Sequence, residues 1–475
     1  MHPGELTGEL TFVIPTYRLR DVAATIEAYD EHFTRHGHTV KMVVFDDSTA
    51  VNHDKYYSLI ERTKTHNEVF YVGPREKRAF HEVVRERLRD MDVEPVVAEL
   101  FRPSYGGNRN FTLVYTLGGA MISADDDMRP YALVDAGERP PEGEVCHGKV
   151  VKAHSNEFTK RSFDLLRAFR EVLGKKVADV PRSFLRGDHL IDTAMDLETN
   201  ATKGLARENA LTLAPGEVDG EAIVKMAQTY RSGTNDIDAL DFVDMFLDDE
   251  AQSSLDVLGD LYVLQGFRPA ITNRNWRMDC GVAAYDNTTG LPPFFPTHFR
   301  FEDYIYRLWI QQRGVAAAHV DAAQNHAKNP YMRNPPASEV FNEEVANFLK
   351  RKIRATITGL DDLGIAFSYD GAVGHTDATE MLDKIVALHE RVLSAAKRAR
   401  APERASELTR FAANLEKVFY GFEPDFFQHN LQRVVREEVD LIKRSIELWP
   451  TLLEICFFHA RRKGLPLTRV ANVRA

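Results

Sequence analysis

Short apolar runs alternate with helical patterns through the N-terminal part of the chain. Four runs with β-strand character occupy residues 11–17, 39–47, 69–73 and 119–127. Between the first two, Val22, Ile26, Tyr29 and Phe33 recur at the spacing of one helix face. Strands that alternate with helices form a mostly parallel, doubly wound α/β sheet. Because ligands of such sheets bind at the carboxyl ends of the strands, the polar residues there are the first candidates for function.

The pattern of the later residues changes three times along the chain, which predicts four units. After the first unit, a turn-rich stretch at 137–144 and helix-like pieces at 161–174 and 238–249 predict a mainly helical insertion or lid. A strand candidate at 260–267, followed by the segment 275–287, then indicates that the sheet resumes. The last unit is almost wholly helical in pattern, with Pro402 between two helices. The predicted units are residues 1–136, 137–257, 258–335 and 336–475.

The charge balance of the chain is acidic. Its 475 residues include 71 Asp and Glu against 60 Lys and Arg, a net charge of −11. Such a field repels polyanions, so nucleic acid is not an expected partner. The cysteines, Cys146, Cys280 and Cys456, lack the spacing of a disulfide framework or a zinc site, which favours a reducing cytoplasm.

Hydropathy predicts a soluble chain, with one alternative at the C-terminus. No apolar run reaches the length of a membrane-spanning helix, and the first residues lack a secretory pattern. Residues 448–464 are apolar and then basic, and such a stretch could lie on an anionic membrane surface. A packed helix with basic residues near its C-terminal end explains the same pattern. The C-terminal helices also offer a surface for a homo-oligomer.

Two polar clusters follow or precede regular elements in the first unit. Asp46-Asp47-Ser48 closes an apolar strand and is either a turn or helix cap, or a carboxylate site for a base or ribose. Residues 106–110 place two glycines and Arg109 at a helix start. Free N–H groups and a guanidinium at such a position suit a diphosphate.

A third cluster, Asp125-Asp126-Asp127, ends an apolar run. Three adjacent carboxylates repel one another unless a cation or hydrogen-bond donors compensate them. Mg²⁺ or Mn²⁺ is the simplest cation, because it prefers oxygen ligands and takes one or two protein carboxylates beside phosphate oxygens and water. A solvated acidic turn is the alternative.

The fourth cluster is Glu302-Asp303 at the start of a predicted helix, with His326 farther along the chain. The acidic pair is either a cap that complements the helix dipole or the source of a base for an acceptor hydroxyl. His326 is either a structural histidine or a further metal ligand.

These clusters, taken in order, resemble the family-2 glycosyltransferases of the GT-A fold. The resemblance covers residues 10–130 and 275–330 and depends on five elements: FVIPTY, FDDST, the G-x-x-RN helix start, the DxD and the ED segment. It implies a nucleotide-diphosphate sugar donor, Mn²⁺ or Mg²⁺ as cofactor, and transfer to an acceptor hydroxyl with inversion. Residues 1–136 would then be the nucleotide-sugar-binding half and 258–335 the acceptor side of the sheet.

The resemblance also implies roles for individual residues. Pro15, Thr16 and Tyr17 would border the nucleotide pocket, Asp46 or Asp47 would contact the base, and Arg109 would approach the diphosphate. Asp125 and Asp127 would hold ribose and metal, with Asp126 in support. His326, rather than His319, would complete the metal site.

On the acceptor side, the resemblance implies that Asp303 is the catalytic base, with Glu302 as its substitute. Arg274, Trp276 and Arg277 are candidates for stacking and anion contacts with the acceptor, although a tryptophan in such a segment is also a common core residue. The segment DCGVAAYDN (279–287) only loosely matches the glycine-rich acceptor segment of the family, and the long stretch between the DxD and ED elements departs from it. The acceptor is therefore not defined by the sequence.

Two other functions fit part of the pattern. A sugar-phosphate nucleotidyltransferase would share the nucleotide-binding sheet, but PTYRLRD (15–21) lacks the glycine-rich loop expected after the first strand. A non-catalytic GT-A-like binding protein would keep the sheet and use the helical C-terminal third for binding or self-association.

Overall fold

A large mixed β-sheet flanked by helices forms the centre of the molecule, in a computed structural model of the chain. The structure describes residues 10–89, 91–136, 146–151, 156–186, 218–233, 261–267, 269–272, 279–296, 298–299, 302–303, 306, 315–327, 337–360, 365–399, 402–419 and 424–470.

The described residues form the following elements. The strands are β1 (Leu10–Thr16), β2 (Lys41–Asp46), β3 (Val69–Val72), β4 (Ala120–Ala124), β5 (Met128–Arg129), β6 (Tyr131–Asp135), β7 (Cys146–Val151), β8 (Phe158–Ser162), β9 (Leu185–Arg186), β10 (Val224–Gly233), β11 (Leu261–Phe267), β12 (Ala270–Thr272), β13 (Val282–Asp286), β14 (Ala316–His326), β15 (Ile357–Leu360), β16 (Ile365–Phe367) and β17 (Thr468–Val470). The α-helices are α1 (Leu19–Arg35), α2 (His53–Arg62), α3 (Pro74–Leu88), α4 (Glu94–Leu100), α5 (Tyr105–Tyr115), α6 (Leu165–Arg170), α7 (Ala337–Ala355), α8 (His375–Arg398), α9 (Pro402–Phe419) and α10 (Pro424–Lys463).

Four parallel strands make the N-terminal half of the sheet, in the order β3-β2-β1-β4. Helices cover both faces, which explains why the strands are nearly continuous apolar runs. One core contains Val22, Ile26, Tyr29 and Phe33 of α1, all without exposed surface, and the helix face predicted from their spacing is thus confirmed. A second core, on the other face, contains the apolar side chains of α3, α4 and α5.

The sheet continues beyond β4 with antiparallel and parallel neighbours. β13 pairs antiparallel with β4, β10 pairs antiparallel with β13, and β14 pairs parallel with β10. The strand predicted at 260–267 is β11, and β13 lies within the segment 275–287, in the region where the sheet was expected to resume. The α/β class with a mixed sheet and mostly parallel central strands is therefore confirmed.

The described residues of 137–257 contain more strand than the predicted mainly helical insertion. They contain β7, β8, β9 and the ten-residue β10, whereas the helix predicted at 161–174 is only the short α6. β10 was overlooked because its residues, VKMAQTYRSG, are buried almost throughout and show neither the alternation of a half-exposed strand nor a purely apolar run. The helix-like piece at 238–249 lies outside the described residues.

The C-terminal third is helical as predicted, and α9 begins at Pro402. Two features were not predicted: the β15–β16 hairpin, and β17, which pairs antiparallel with the edge strand β3. One face of 448–464 lies in the core beside α3, α4 and α5, where Leu448, Trp449, Leu452, Leu453 and Cys456 are buried, whereas Phe458 is exposed. Among the described helices, none combines the length and apolar character that a membrane crossing requires.

Candidate functional site

The carboxyl ends of β1, β2 and β4 bring two of the predicted clusters, Asp46-Asp47-Ser48 and Asp125-Asp126-Asp127, together with the predicted nucleotide-pocket residue Thr16. Val13 pairs with Ser123 in the parallel β1–β4 ladder, and the same register continued places Thr16 opposite Asp126. The Thr16 hydroxyl does donate to Asp126 Oδ2, at 2.6 Å. Thr16 also pairs with Asp46 of β2. Strand register therefore aligns clusters that are far apart in sequence.

A cavity of about 350 Å³ lies at this edge of the sheet. Seven of its lining residues were predicted to bind the nucleotide sugar: Pro15, Thr16, Tyr17, Asp47, Arg109, Asp125 and Asp126. Five were not: Arg18, Pro103, Ser104, Tyr105 and Asn108. Tyr17 and Tyr105 are 55% and 45% exposed, and their rings stand nearly perpendicular with centroids 6.2 Å apart. The cavity thus combines carboxylates and guanidiniums with two exposed aromatic rings.

Asp46 and Asp47, left as alternatives by the sequence, have different surroundings. Asp46 has no exposed surface and accepts hydrogen bonds from Tyr71 and from Ser48. Asp47 lines the cavity, receives Lys77 Nζ at 2.6 Å and the backbone N–H of Ser104 at 2.8 Å, and has a pKa raised by burial. Asp47 is therefore the one of the two that a ligand in the cavity can reach.

The triplet Asp125-Asp126-Asp127 is compensated by two arginines. Arg109 Nη2 donates to Asp125 Oδ1 at 2.9 Å. Arg18 Nη2 contacts Asp126 Oδ1 and lies 2.8 Å from Asp127 Oδ2. Burial nevertheless raises the pKa of Asp126 to about 6, against the opposing effect of Arg18. Protein cations therefore occupy the place where the sequence argument put a metal ion.

Asp127 and His326 meet through a strand that the sequence did not indicate. The two-residue β5 directly follows the triplet and pairs with the end of β14, with Met128 opposite His326. The Ala327 N–H donates to the Asp127 carbonyl oxygen at 2.8 Å. As a result His326 Nε2 lies 3.3 Å from Asp127 Oδ2, whereas His319 lies farther back on β14, buried beside the Tyr230 ring.

These residues fit part of the predicted metal site. Asp127 and His326 form an adjacent oxygen and nitrogen pair, and Mg²⁺ or Mn²⁺ commonly uses few protein ligands beside phosphate and water. Asp125, the third predicted ligand, is directed to Arg109. Within the described residues no cluster of three or more His, Cys, Asp or Glu side chains is placed to hold a metal ion.

The two glycines of α5 are explained by packing. Ser104 caps the helix and accepts the Gly107 N–H at 2.9 Å. A Cβ at Gly106 would overlap the Phe295 carbonyl oxygen, and one at Gly107 would overlap that of Arg102. The glycines thus allow α5 to approach neighbouring backbone, and the helix carries Arg109 to the cavity floor.

Arg109 connects the triplet to the acidic pair Glu302-Asp303. Besides Asp125, its guanidinium lies 3.5 Å from Glu302 Oε1 and donates to the Cys280 carbonyl oxygen at 3.2 Å. It is buried, and its carboxylate neighbours raise its pKa above the ordinary value despite desolvation. Arg109 therefore connects the DxD and ED segments through its carboxylate contacts, and it also lines the cavity.

Asp303 has the surroundings of a proton acceptor. Its Oδ1 is buried and accepts no hydrogen bond from the described residues. Burial is the main cause that raises the pKa of both Glu302 and Asp303, and Arg109 opposes it. Gly281 lies next to Cys280, and a Cβ there would overlap Asp125 Oδ2.

The remaining predicted residues, Arg274, Trp276 and Arg277, lie outside the described residues. Sequence reasoning missed several residues of this site. Of these, Arg18 was the one that the sequence could have indicated, because it lies in the segment PTYRLRD and is the first basic residue after a strand end. Lys77, Tyr105 and Cys280 gave none, because their neighbours come from distant segments.

The sequence matches no protein-family model, and no curated protein matches it either.

Proposed function

We propose that the protein is a metal-dependent glycosyltransferase of GT-A type, which moves a sugar from a nucleotide-diphosphate sugar to an acceptor hydroxyl. One observation carries this proposal: a single cavity at the carboxyl ends of parallel strands joins Thr16, Asp47 and Asp125, and its floor residue Arg109 reaches Glu302. Three of the four sequence clusters thus line one ligand-sized space, and Arg109 contacts the fourth.

The cavity suits the donor. Its volume of about 350 Å³ is within the ~300–1,000 Å³ of small-molecule sites. Tyr17 and Tyr105 at its exposed side offer aromatic faces to a base, and Asp47 offers carboxylate oxygens to base or ribose. Mn²⁺ or Mg²⁺ held by Asp127 and His326 would neutralise charge on the diphosphate when bound.

Asp303 supplies the base in this proposal. A carboxylate with a raised pKa and an oxygen without a hydrogen-bond donor among the described residues is a better proton acceptor than a solvated one. The Arg109 guanidinium contacts the neighbouring Glu302, and its positive charge compensates the negative charges of the acidic pair. A base placed in this way corresponds to direct displacement with inversion of the sugar configuration.

A donor panel tests the activity itself. Purified protein is mixed with nucleoside-diphosphate sugars that differ in base and sugar, with Mn²⁺, Mg²⁺ or a chelator, and release of nucleoside diphosphate is measured. Slow transfer to water should reveal one preferred donor, and the chelator should suppress it. If no donor is hydrolysed under any metal condition, and nucleoside diphosphates with Mn²⁺ do not raise the unfolding temperature, the proposal is wrong.

Two substitutions test the assigned roles. Asp303→Asn removes the base and should lower the rate roughly 10²–10⁴-fold. Asp127→Ala should abolish metal-dependent turnover. The control is Asp321→Asn, since Asp321 is exposed on β14 and is not among the lining residues of the cavity. All three variants should keep the circular dichroism spectrum of the wild type. Near-normal turnover by both site variants would contradict the assignment.

A further inference from the structure

Arg18 holds a position between the carboxylates of the candidate metal site. Its Nη2 contacts Asp126 Oδ1 and lies 2.8 Å from Asp127 Oδ2, the oxygen that is also 3.3 Å from His326 Nε2. A guanidinium and a divalent cation at the same carboxylate oxygen compete, because both neutralise one local charge. Arg18 therefore stands where a cation at Asp127 and His326 would bind.

The hold of Arg18 on these carboxylates is incomplete. Both contacts use the single atom Nη2, so the side chain does not form the two-atom fork that makes arginine–carboxylate pairs strong. Its Nε is buried without a hydrogen-bond partner among the described residues, 4.0 Å from the nearest oxygen of Asp21. Arg18 gains further hydrogen bonds if it moves to another acceptor.

Such an acceptor would lie within reach of the side chain. Arg18 lines the same cavity as Tyr17 and Asp125, its side chain is 27% exposed, and its guanidinium lies 5.4 Å from the Tyr17 ring centroid. A diphosphate in this cavity would present several oxygens to a guanidinium with donors to spare.

We propose, on the basis of the function proposed above, that Arg18 is an exchangeable internal cation: Mn²⁺ or Mg²⁺ binds at Asp127 and His326 as Arg18 leaves Asp126 and Asp127, and the released guanidinium pairs with the diphosphate of the donor. Metal and donor binding are then coupled, because each favours the same position of Arg18.

The test is a titration with Mn²⁺ alone, without nucleotide and without turnover. Calorimetry and electron paramagnetic resonance measure the binding. Arg18→Gln should bind Mn²⁺ on the order of tenfold more tightly than the wild type, since the competing charge is gone. Arg20→Gln is the matched control: it removes the same charge two residues away, and Arg20 pairs with Asp21. It should bind Mn²⁺ as the wild type does.

A second titration addresses the released guanidinium. At saturating Mn²⁺, Arg18→Gln should bind a nucleoside diphosphate more weakly than both the wild type and Arg20→Gln. Arg18→Met keeps the apolar stem and should behave as Arg18→Gln in both titrations, and thermal unfolding identifies any variant that fails to fold.

The outcomes separate this inference from the proposed function. If the Arg18 variants bind Mn²⁺ no more tightly than the wild type, or if no protein binds Mn²⁺, the inference is wrong even when sugar transfer is found. If the Arg18 variants bind Mn²⁺ more tightly but bind the nucleoside diphosphate as the wild type does, the proposed pairing of the released Arg18 with the diphosphate is wrong. If both titrations behave as expected but no donor in the panel is consumed, only the transfer reaction fails.

Discussion

Two arginines compensate the most charged part of the site at the scale of single residues. Arg109 joins Asp125 to Glu302, and Arg18 joins Asp126 to Asp127. Three adjacent carboxylates need compensation, but the sequence does not distinguish a metal ion from a guanidinium, because either can neutralise them. The sequence shows which charges must be compensated, whereas the identity of the partner depends on which distant side chains the fold delivers.

His319 gives a prediction at the same scale. Burial lowers the pKa of this imidazole to about 4, from 6.5. Between these values the unfolded chain binds a proton that the folded chain excludes, so stability decreases as pH falls from 6.5 to 4. The shift corresponds to about 3 kcal/mol at most. His319→Gln should lose this dependence.

Urea unfolding at several pH values checks the histidine prediction. As pH falls from 6.5 to 4, the free energy of unfolding should decrease more for the wild type than for His319→Gln. A difference that is the same at pH 7 and pH 4 would show that His319 is not buried in its neutral form.

At the scale of elements, the glycines of α5 have a packing role that the sequence did not indicate. Gly106 and Gly107 bring the helix against the backbone of Phe295 and Arg102. This close packing sets the position of Arg109, on the same helix. The site therefore depends on the glycines indirectly.

Gly106→Ala tests that dependence. Glycine to alanine in a helix normally stabilises by ~1 kcal/mol, but here the added Cβ meets backbone that cannot rotate away. We expect a net loss of ~1–3 kcal/mol, as in overpacked cores. Gly220→Ala is the control, since its Cβ would make an ordinary 3.6 Å contact with Ala178. Denaturant titration compares the two, and equal midpoints would contradict the packing argument.

At the scale of the whole molecule, the C-terminal third is part of the core of the N-terminal half. Trp449 of α10 has no exposed surface, donates its indole N–H to the Leu291 carbonyl oxygen at 2.7 Å, and lies beside Phe101. β17 extends the sheet at its β3 edge. A helical domain predicted as a separate unit is thus integrated with the sheet that carries the candidate site.

Trp449→Ala measures this integration. Removing a fully buried tryptophan and its hydrogen bond should cost about 3–5 kcal/mol, and the loss should appear in the unfolding of the sheet as well as of α10. Phe458→Ala is the control on the same helix, because Phe458 is 53% exposed and should change stability by less than ~0.5 kcal/mol. Tryptophan-independent far-ultraviolet circular dichroism follows both variants, and an unchanged midpoint for Trp449→Ala would indicate that the two parts are independent.

The sequence alone determined the elements whose apolar pattern is local. The spacing of Val22, Ile26, Tyr29 and Phe33 defines a helix face, and the apolar runs before Asp46 and Asp125 define strands, because burial of one periodic face is encoded within a few turns. It also indicated which polar residues end those strands, and hence half of the residues that line the cavity.

Only the tertiary structure decided how these residues are paired. Arg18 at the triplet, Lys77 at Asp47, β5 beside His326 and β10 within the sheet depend on register and on contacts between distant segments, which leave no periodic signal. Charge partners are set by where the fold places a side chain and by how strongly burial forces compensation. The sequence therefore located the acidic triplet, and the fold assigned its cations.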